Sequence, residues 1–218
     1  MARTLSLYFG LAYACVAMTL PCATAAAQDM MRHVDLKSPQ MTQAEMTRDE
    51  VVAELARGTT EQPTDLSGRR LNGLDLSGLD STGAILRRAY LNEAKLVKAK
   101  LDGAVLDQAW AWNADFSAAT LRRSSIVAAQ MRGARFDDAD LSGARITADL
   151  QGASFLRAKL VDADLGADMK NQSMGLMRAL LISAKLDDAD LRGANLSWVD
   201  LHFASSPLLK GPILPART

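Results

Sequence analysis

From Thr64 onwards, apolar residues recur along the chain with a period of five. A small residue, most often Ala, stands two positions before a larger aliphatic one, as in Ala84-x-Leu86 and Ala89-x-Leu91. The pattern comprises 29 units, of which 26 have Leu, Ile, Met or Phe at the centre and 22 have Ala two positions earlier. Such self-similarity predicts one repeat architecture over most of the chain.

A period of five fits neither a regular helix nor a plain strand. On a helix, equivalent positions would drift by about 140° per unit, and a strand requires a period of two. The pattern fits a chain that is extended for three residues and then turns a corner, with the Ala and the central residue pointing inward. Corners explain the glycines two places after the centre: Gly68, Gly73, Gly78, Gly83, Gly103, Gly133, Gly143, Gly152 and Gly193. Four such sides close a square coil, and stacked coils form a solenoid.

Several units carry a specific motif. Residues 139–143 read Ala-Asp-Leu-Ser-Gly, residues 189–193 read Ala-Asp-Leu-Arg-Gly, and residues 194–196 read Ala-Asn-Leu. The chain here resembles the pentapeptide-repeat family, whose motif is Ala-(Asp/Asn)-Leu-x-x. The resemblance implies an all-β fold for residues 64–206, a right-handed quadrilateral β-helix of about seven coils stacked roughly 4.8 Å apart. It implies little about function, because the family includes cytosolic gyrase-protecting proteins and exported members with no known role.

The register is unbroken as far as Ile146 and then shifts. Single-residue deletions precede Leu150 and Met169, and two extra residues precede Leu181. With four units per coil, both deletions are expected at the same corner of consecutive coils. The insertion around residues 176–178 is expected to bulge outward two sides later.

Residues 1–27 have the layout of a secretory signal peptide. Met1-Ala2-Arg3 is a short basic start, and an apolar run extends from Leu5 to Leu20. Small residues at Ala25 and Ala27 form the expected cleavage site, so the mature chain begins at Gln28. We therefore expect a periplasmic or secreted protein of a Gram-negative bacterium, with no stable membrane insertion after cleavage.

Both cysteines of the chain, Cys15 and Cys22, lie within this signal segment. The mature chain is therefore expected to have no disulfide and no cysteine metal site. Two alternatives stay open for the segment: an uncleaved membrane anchor, and lipid attachment at Cys22.

The repeat region is flanked by segments that suit its ends. Residues 28–63 are predicted to form a linker and a short capping α-helix, because Thr47 and Glu50 have the spacing of a capping box. Residues 207–218 are predicted to form a C-terminal cap or tail, since open coil ends expose unpaired strand edges.

Charge is balanced over the whole chain, with 25 Lys+Arg and 25 Asp+Glu, and over residues 64–206, with 18 of each sign. A general nucleic-acid binder needs a basic surplus, so no nucleic-acid partner is expected. Read face by face, the outward side chains place opposite charges on adjacent rungs, as at Asp80 and Lys100. This arrangement indicates a solvated, register-fixing surface.

No residue pattern indicates catalysis or a cofactor. The histidines are His33 and His202, and neither has a predicted cleft or nucleophile beside it. Residues 137–140 and 187–190 are rich in Asp, but a calcium site needs six to eight converging oxygens. Side chains on a convex surface splay apart, so we expect no enzyme activity, no cofactor and no metal.

Three aromatic residues form a candidate contact patch: Tyr90 and Trp110 at equivalent outward positions on neighbouring coils, with Trp112 beside them. Exposed aromatics are typical of protein contacts, and the rings of Tyr90 and Trp110 are expected to be close enough to stack. The alternative is that the chain's own N-terminal segment folds over them. A second apolar group lies towards the C-terminal end, where a homodimer contact is also open: Leu176, Met177, Leu180, Ile182, Trp198 and Phe203.

The sequence therefore favours an exported, non-enzymatic scaffold or protein-binding module whose protein partner it does not name. The alternative is a gyrase-binding protein that mimics DNA, as the family resemblance implies for some members. Mimicry of duplex DNA requires a strongly acidic face, which a neutral cylinder does not provide. The location of the mature protein separates the two hypotheses.

Overall fold

The computed structural model describes residues 35–167 and 177–205. The expected signal segment, its two cysteines, His33 and the tail 207–218 lie outside the described residues. Four regular elements occur in this part: α1 (Pro39–Thr42), α2 (Arg48–Leu55), β1 (Ser125–Gln130) and β2 (Arg145–Asp149). The two strands pair in parallel, with Ser125 opposite Arg145.

The rest of the repeat region is a coil held together by single-residue parallel bridges. Asp65 pairs with Ile85, and Ile85 in turn pairs with Val105, so the chain returns to the same side after every four repeat units. Three further series of bridges begin at Arg70, Asp75 and Asp80. Four sides, each one repeat unit long, therefore close one turn, which confirms the four-sided coil predicted from the period.

Each corner is a tight turn that closes on the central residue. At one of them the amide of Ala104 donates to the carbonyl of Leu101 at 3.0 Å, and Gly103 between them has φ +66°. A positive φ at the third turn residue is the geometry of a type II turn. Across the coil, residues in this position have φ between +54° and +71°.

The interior is filled by the small and the central residues of the repeat. Leu101, Leu121 and Leu141, which are stacked in successive coils, have no exposed surface. In the neighbouring column, Phe116, Phe136 and Phe155 stack with ring centroids 4.9 Å apart and planes within 8°. The inward direction predicted for these positions is confirmed.

The Asp of the repeat motif has a defined task at the corner. The Ser142 amide donates to Asp140 Oδ1 at 3.1 Å, and the Ser77 amide donates to Asp75 Oδ1 in the same way at 3.0 Å. This amide lies in the corner turn, where it has no backbone acceptor on the neighbouring coil. The Asp carboxylate supplies the acceptor that such a half-buried amide requires.

The first predicted register shift is confirmed. Bridges in this region span one residue fewer than those of the earlier coils, as in Arg145 with Asp164 and Asp140 with Lys159. At the shortened corner the chain forms the continuous strand β2. Its pairing with β1 on the preceding coil changes register between Val127 and Gln130.

The second predicted shift is wrong. The predicted register would pair Asp149 with Asp168, which precedes the expected centre Met169. Asp149 instead pairs with Leu180, and Asp164 pairs with Asn195. Residues 180–195 thus lie on the same sides of the coil as residues 149–164, one rung higher. Met169 and Met174, counted as repeat centres from their spacing, lie outside the described residues.

The N-terminal end of the coil is covered by α2. Thr47 and Glu50 form the capping box, with the Thr47 amide donating to Glu50 Oε2 at 2.7 Å. Val51 is 1% exposed and belongs to the same apolar cluster as the first core residues of the coil. Within the described ranges no helix has the length and apolar character needed to cross a membrane.

Candidate contact surface

Tyr90 and Trp110 lie on one face of the coil, where they form a bridge on adjacent rungs. Trp112 lies at the corner that borders this face. All three residues are half-buried, which is less exposed than their outward positions predict. The reason is local packing, since each ring lies against a neighbouring side chain or against residues that precede α2.

The two tryptophans contact each other. Their ring centroids are 6.3 Å apart with planes at 41°, a separation at which aromatic rings interact. The expected stacking of Tyr90 on Trp110 is replaced by this contact with Trp112. The Tyr90 hydroxyl instead accepts a hydrogen bond from the side-chain amide of Gln40.

An arginine on the next rung completes the cluster. The Cζ atom of Arg132 lies 5.9 Å from the ring centroid of Trp112, within the range of a cation–π interaction. Its Nε donates to Asp149 Oδ2 at 2.7 Å, and the Asp149 side chain is only 9% exposed. The guanidinium is therefore held over the indole by a largely buried carboxylate. The patch predicted from the sequence did not include Arg132, although this residue occupies the position equivalent to Trp112 on the next coil.

The residues before α2 lie along the same corner. The Asn72 side chain donates to the carbonyls of Gln40 and Gln43, at 2.9 and 3.1 Å. The Asn92 side chain donates to the Met41 carbonyl at 3.1 Å. Residues 35–45, assigned to a linker from the sequence, are thus tied to the coil by main-chain contacts.

The asparagines fit this corner because an amide side chain both accepts and donates. Asn72 Oδ1 accepts from the Asn92 amide at 3.0 Å, and Asn92 Oδ1 accepts from the Trp112 amide at 3.0 Å. The side-chain oxygen of each asparagine thus accepts a hydrogen bond from a backbone amide of the next coil. Its side-chain nitrogen donates to a backbone carbonyl of the N-terminal segment.

A small cavity of about 130 Å³ separates this segment from the corner. The indole nitrogen of Trp112 is buried and has no hydrogen-bond partner within the described part of the chain. The cavity lining includes that ring: Leu36, Met41, Thr42, Gly73, Asn92, Glu93, Trp112 and Asn113.

The second predicted apolar group is divided between two environments. Met177, Leu180 and Ile182 are half-buried, whereas Trp198 is 60% exposed and Phe203 is 87% exposed. Leu176 lies outside the described residues. The exposed aromatics therefore lie at corner positions of the last coil.

The acidic residues considered for calcium are engaged in bonds of the coil. Asp137 accepts from the Leu156 amide at 3.1 Å, and Asp138 forms two 2.7 Å bonds with Arg157. The bond to Arg157 lowers the pKa of the Asp138 carboxyl. Over residues 35–167 and 177–205, no group of three or more His, Cys, Asp or Glu is placed to hold a metal ion.

His202 belongs to a pair at the surface. Its ring bonds to Asp200, and this bond lowers the pKa of the Asp200 carboxyl. The His202 side chain is 78% exposed. The pair therefore lies on an open convex surface and stabilises a corner turn, whose amide also donates to Asp200.

Comparison with known sequences identifies the repeat. The family profile for pentapeptide repeats matches with eight copies and covers more than half of the chain, over residues 64–103, 99–138, 114–148, 132–167 and 176–205. The chain belongs to the pentapeptide-repeat family. Members of this family are right-handed quadrilateral β-helices and are generally structural rather than enzymatic. No curated protein matches the chain.

Three solved pentapeptide-repeat structures are similar to this chain. Rfr23 from the cyanobacterium Cyanothece 51142 is 21% identical over 71% of this chain and 95% of its own, with a TM-score of 0.44. HetL, involved in heterocyst differentiation regulation in Nostoc sp. strain PCC 7120, is 22% identical over 75% and 98%, with a TM-score of 0.31. QnrB1, a plasmid-mediated fluoroquinolone resistance protein, is 18% identical over 67% and 79%, with a TM-score of 0.29.

Proposed function

We propose that this protein is an exported, non-enzymatic scaffold of about seven coils that binds a protein partner through one side of the cylinder. The binding surface consists of Trp110, Trp112 and Arg132, with Tyr90 at its lower edge. The observation that carries the proposal is the contact chain from Trp110 through Trp112 and Arg132 to Asp149.

This cluster has the composition and order that protein contacts use. Trp, Tyr and Arg are enriched among the residues that dominate binding energy. The coil holds Trp110 and Trp112 on its backbone ladder, and Asp149 holds Arg132, so little side-chain freedom is lost on binding. A partner with a carboxylate and an apolar anchor would suit the guanidinium and the indoles.

The packed interior of the coil supports a binding role for its outer surface. The buried Ala and central residues fill the interior of the coil, where Phe116, Phe136 and Phe155 stack on one another. A filled cylinder presents its chemistry outward, as repeat proteins with extended binding surfaces do.

Replacement of the aromatic residues tests the proposal. In the variant Tyr90→Thr, Trp110→Thr, Trp112→Thr, threonine keeps strand propensity and removes the apolar contact area. The control is the double variant Lys100→Thr, Arg122→Thr. Positions 100, 120 and 122 correspond to positions 90, 110 and 112 on the side two away, and position 120 is already Thr. We expect affinity capture of the partner from the periplasm to be lost in the first variant and kept in the control. Equal capture by both variants, with the first still folded, would refute the binding surface.

Export is the second part of the proposal, and it is supported by the layout of residues 1–27. We expect signal cleavage after Ala27 and recovery of the mature chain in the periplasmic fraction. Intact-mass measurement of the purified protein checks the first residue. A membrane-bound chain that retains Met1 would contradict export as a free protein.

The DNA-mimic alternative predicts a different result. Opposite charges pair across rungs at Asp80 and Lys100, 3.2 Å apart, and at Asp115 and Arg135, 3.3 Å apart. A face whose acidic side chains are paired with basic ones does not reproduce the negative electrostatic potential of duplex DNA. We expect no inhibition or protection of DNA gyrase by the purified mature protein at roughly micromolar concentration, where electrostatic mimicry would act. A clear change in supercoiling would favour the alternative.

A further inference from the structure

One corner of the coil carries a column of side chains that donate hydrogen bonds to main-chain carbonyls. Asn72 and Asn92 occupy equivalent positions on the first two coils, and their side-chain nitrogens donate to carbonyls of the N-terminal segment at 2.9–3.1 Å. Trp112 takes the same position on the third coil, because its amide donates to Asn92 Oδ1 as the Asn92 amide does to Asn72 Oδ1. The indole N–H is therefore the next donor of this column.

This third donor has no acceptor. Trp112 Nε1 is buried and has no hydrogen-bond partner within the described part of the chain, whereas the nitrogens of Asn72 and Asn92 are both used. A buried donor without a partner is destabilising. An acceptor supplied from outside the chain would therefore stabilise this corner.

The cavity beside this indole has the size and the lining for part of a peptide. Its volume of about 130 Å³ is close to that of a cavity of about 150 Å³ that admits benzene, and an aliphatic side chain is no larger. The lining combines the apolar side chains of Leu36 and Met41 with the polar groups of Trp112 and Asn113. The cavity therefore suits an aliphatic side chain next to a hydrogen-bond acceptor.

Charge determines which acceptor fits. Glu93 lines the cavity and no Lys or Arg does so among the described residues, so an incoming carboxylate would be repelled. The nearby Arg132 is already bonded to Asp149. A cation has no lone pair with which to accept from the indole. The group that fits is a neutral carbonyl, such as those that Asn72 and Asn92 already hold.

We propose that this corner binds a peptide segment of the partner protein, with one main-chain carbonyl on Trp112 Nε1 and one aliphatic side chain in the cavity. The inference rests on the proposed function and names the kind of partner, because the cavity adjoins the same ring that contacts Trp110 and Arg132. Since Nε1 is buried, the Leu36 side chain gives way as the peptide enters. Leu36 is 39% exposed and makes no hydrogen bond to the coil in the described ranges.

Short random peptides displayed on phage, selected on the purified protein, test the inference. We expect the selected peptides to share an aliphatic residue. Binding should move the indole proton resonance of Trp112 downfield in NMR spectra, because the N–H gains an acceptor. The indole proton of Trp198, at an exposed corner of the last coil, should not move.

Removal of the N–H alone separates this inference from the proposed function. Benzothienylalanine at position 112 has sulfur in place of the indole N–H and keeps the apolar area of the ring. We expect the selected peptides to bind about five-fold more weakly to this variant, as for the loss of one neutral hydrogen bond. Unchanged affinity would overturn the carbonyl contact and leave the aromatic surface standing, since the threonine variant tests that surface separately.

A side chain placed in the cavity is the second test. Gly73 lines the cavity with φ +67°, and a Cβ there has no atom within 4 Å. Gly78, at the next corner of the same coil, has φ +71° and is equally open, but does not line the cavity. Asn adopts this backbone conformation more readily than most residues, so Gly73→Asn and its matched control Gly78→Asn should both fold. We expect peptide affinity to fall about ten-fold in the first and by less than about two-fold in the control.

Three results would overturn the inference. Equal affinities of the two asparagine variants would show that the cavity is not occupied. A bound peptide that leaves the Trp112 indole resonance unmoved would show that it lies elsewhere. A library that yields no binding peptide would show that the corner does not receive one. If the aromatic side still captures a partner in that case, the proposed function stands and the partner presents a folded surface.

Discussion

At the scale of single residues, the coil imposes one conformation on the second corner position whatever side chain occupies it. Glycines such as Gly103 have positive φ there, and so do many residues with a Cβ, among them Arg88 at 55° and Ala118 at 56°. The left-handed conformation costs an L-residue roughly 1–2 kcal/mol. The repeat therefore carries local strain that packing of the columns must outweigh.

Exchanging glycine and alanine at two such corners measures that strain. A Cβ at Gly103 would have no atom within 4 Å, so Gly103→Ala should destabilise through the backbone alone, by about 1 kcal/mol. Ala118→Gly should have the opposite sign and stabilise by up to about 1 kcal/mol, less the entropy of glycine in the unfolded chain. Urea unfolding measures both changes. Destabilisation by Ala118→Gly would contradict the imposed conformation.

The acidic corner residues tie stability to pH. Hydrogen bonds from Ser67, Ser77 and Thr82 lower the pKa values of the Asp65, Asp75 and Asp80 carboxyls. Partial burial works to raise the pKa of Asp140, but bonds from Ser142 and Arg122 outweigh it and the pKa is lowered. A carboxyl with a lowered pKa in the folded state favours folding above its unfolded pKa, near 4.

We therefore expect the free energy of unfolding to fall as the pH drops below about 4. The variant Asp140→Asn should show a smaller fall, because one titrating group is removed while the side-chain oxygen still accepts the turn amide, as Asn195 does from Ser197. Urea melts at a series of pH values give the slopes. An identical slope in the variant would show that Asp140 does not contribute.

At the scale of elements, the stabilising unit is the column of side chains through successive coils. Leu141 stacks over Leu121 and Leu101, all without exposed surface. Leu141→Ala leaves a cavity between two coils and should cost about 2–5 kcal/mol. The control Lys98→Ala, at an exposed corner, should stay within about 0.5 kcal/mol. Denaturant melts compare them, and equal losses would contradict the inward and outward assignment.

The columns and corners could be predicted from the sequence because each repeat position sees the same surroundings. The break in register beyond Ala167 could not be, because Met169 and Met174 continue the apolar spacing that the coil itself requires. Long-range pairing shows the break in register, as in the bridges of Asp149 with Leu180 and of Asp164 with Asn195. A local pattern indicates which residues suit a coil, while long-range pairing decides which of them enter it.

The candidate surface was predicted in part for a similar reason. The outward positions of Tyr90 and Trp110 follow from the period, and so does their shared face. The N-terminal segment is held through the carbonyls of Gln40, Met41 and Gln43, and carbonyls are the same in every residue. The sequence therefore carried little sign of that contact.

At the scale of the whole molecule, the described coil is a filled cylinder whose charges largely pair on its own surface. Pairs such as Arg157 with Asp138 at 2.7 Å fix neighbouring rungs, although each exposed pair contributes little to stability. One side differs, because Trp110, Trp112 and Arg132 replace the simple charge pairs. We therefore assign partner recognition to this side and a structural role to the others.

Site-specific photocrosslinking in cells tests that assignment most directly. A photoreactive phenylalanine derivative is placed at Gln130, which bridges to Trp110 on the aromatic side, or at Thr120, two sides away on the same coils. We expect a discrete crosslinked protein from position 130, lost when Trp110→Thr and Trp112→Thr are added, and none from position 120. The same crosslinked protein from both positions, or its persistence after the two Thr changes, would show that the aromatic side is not the binding surface.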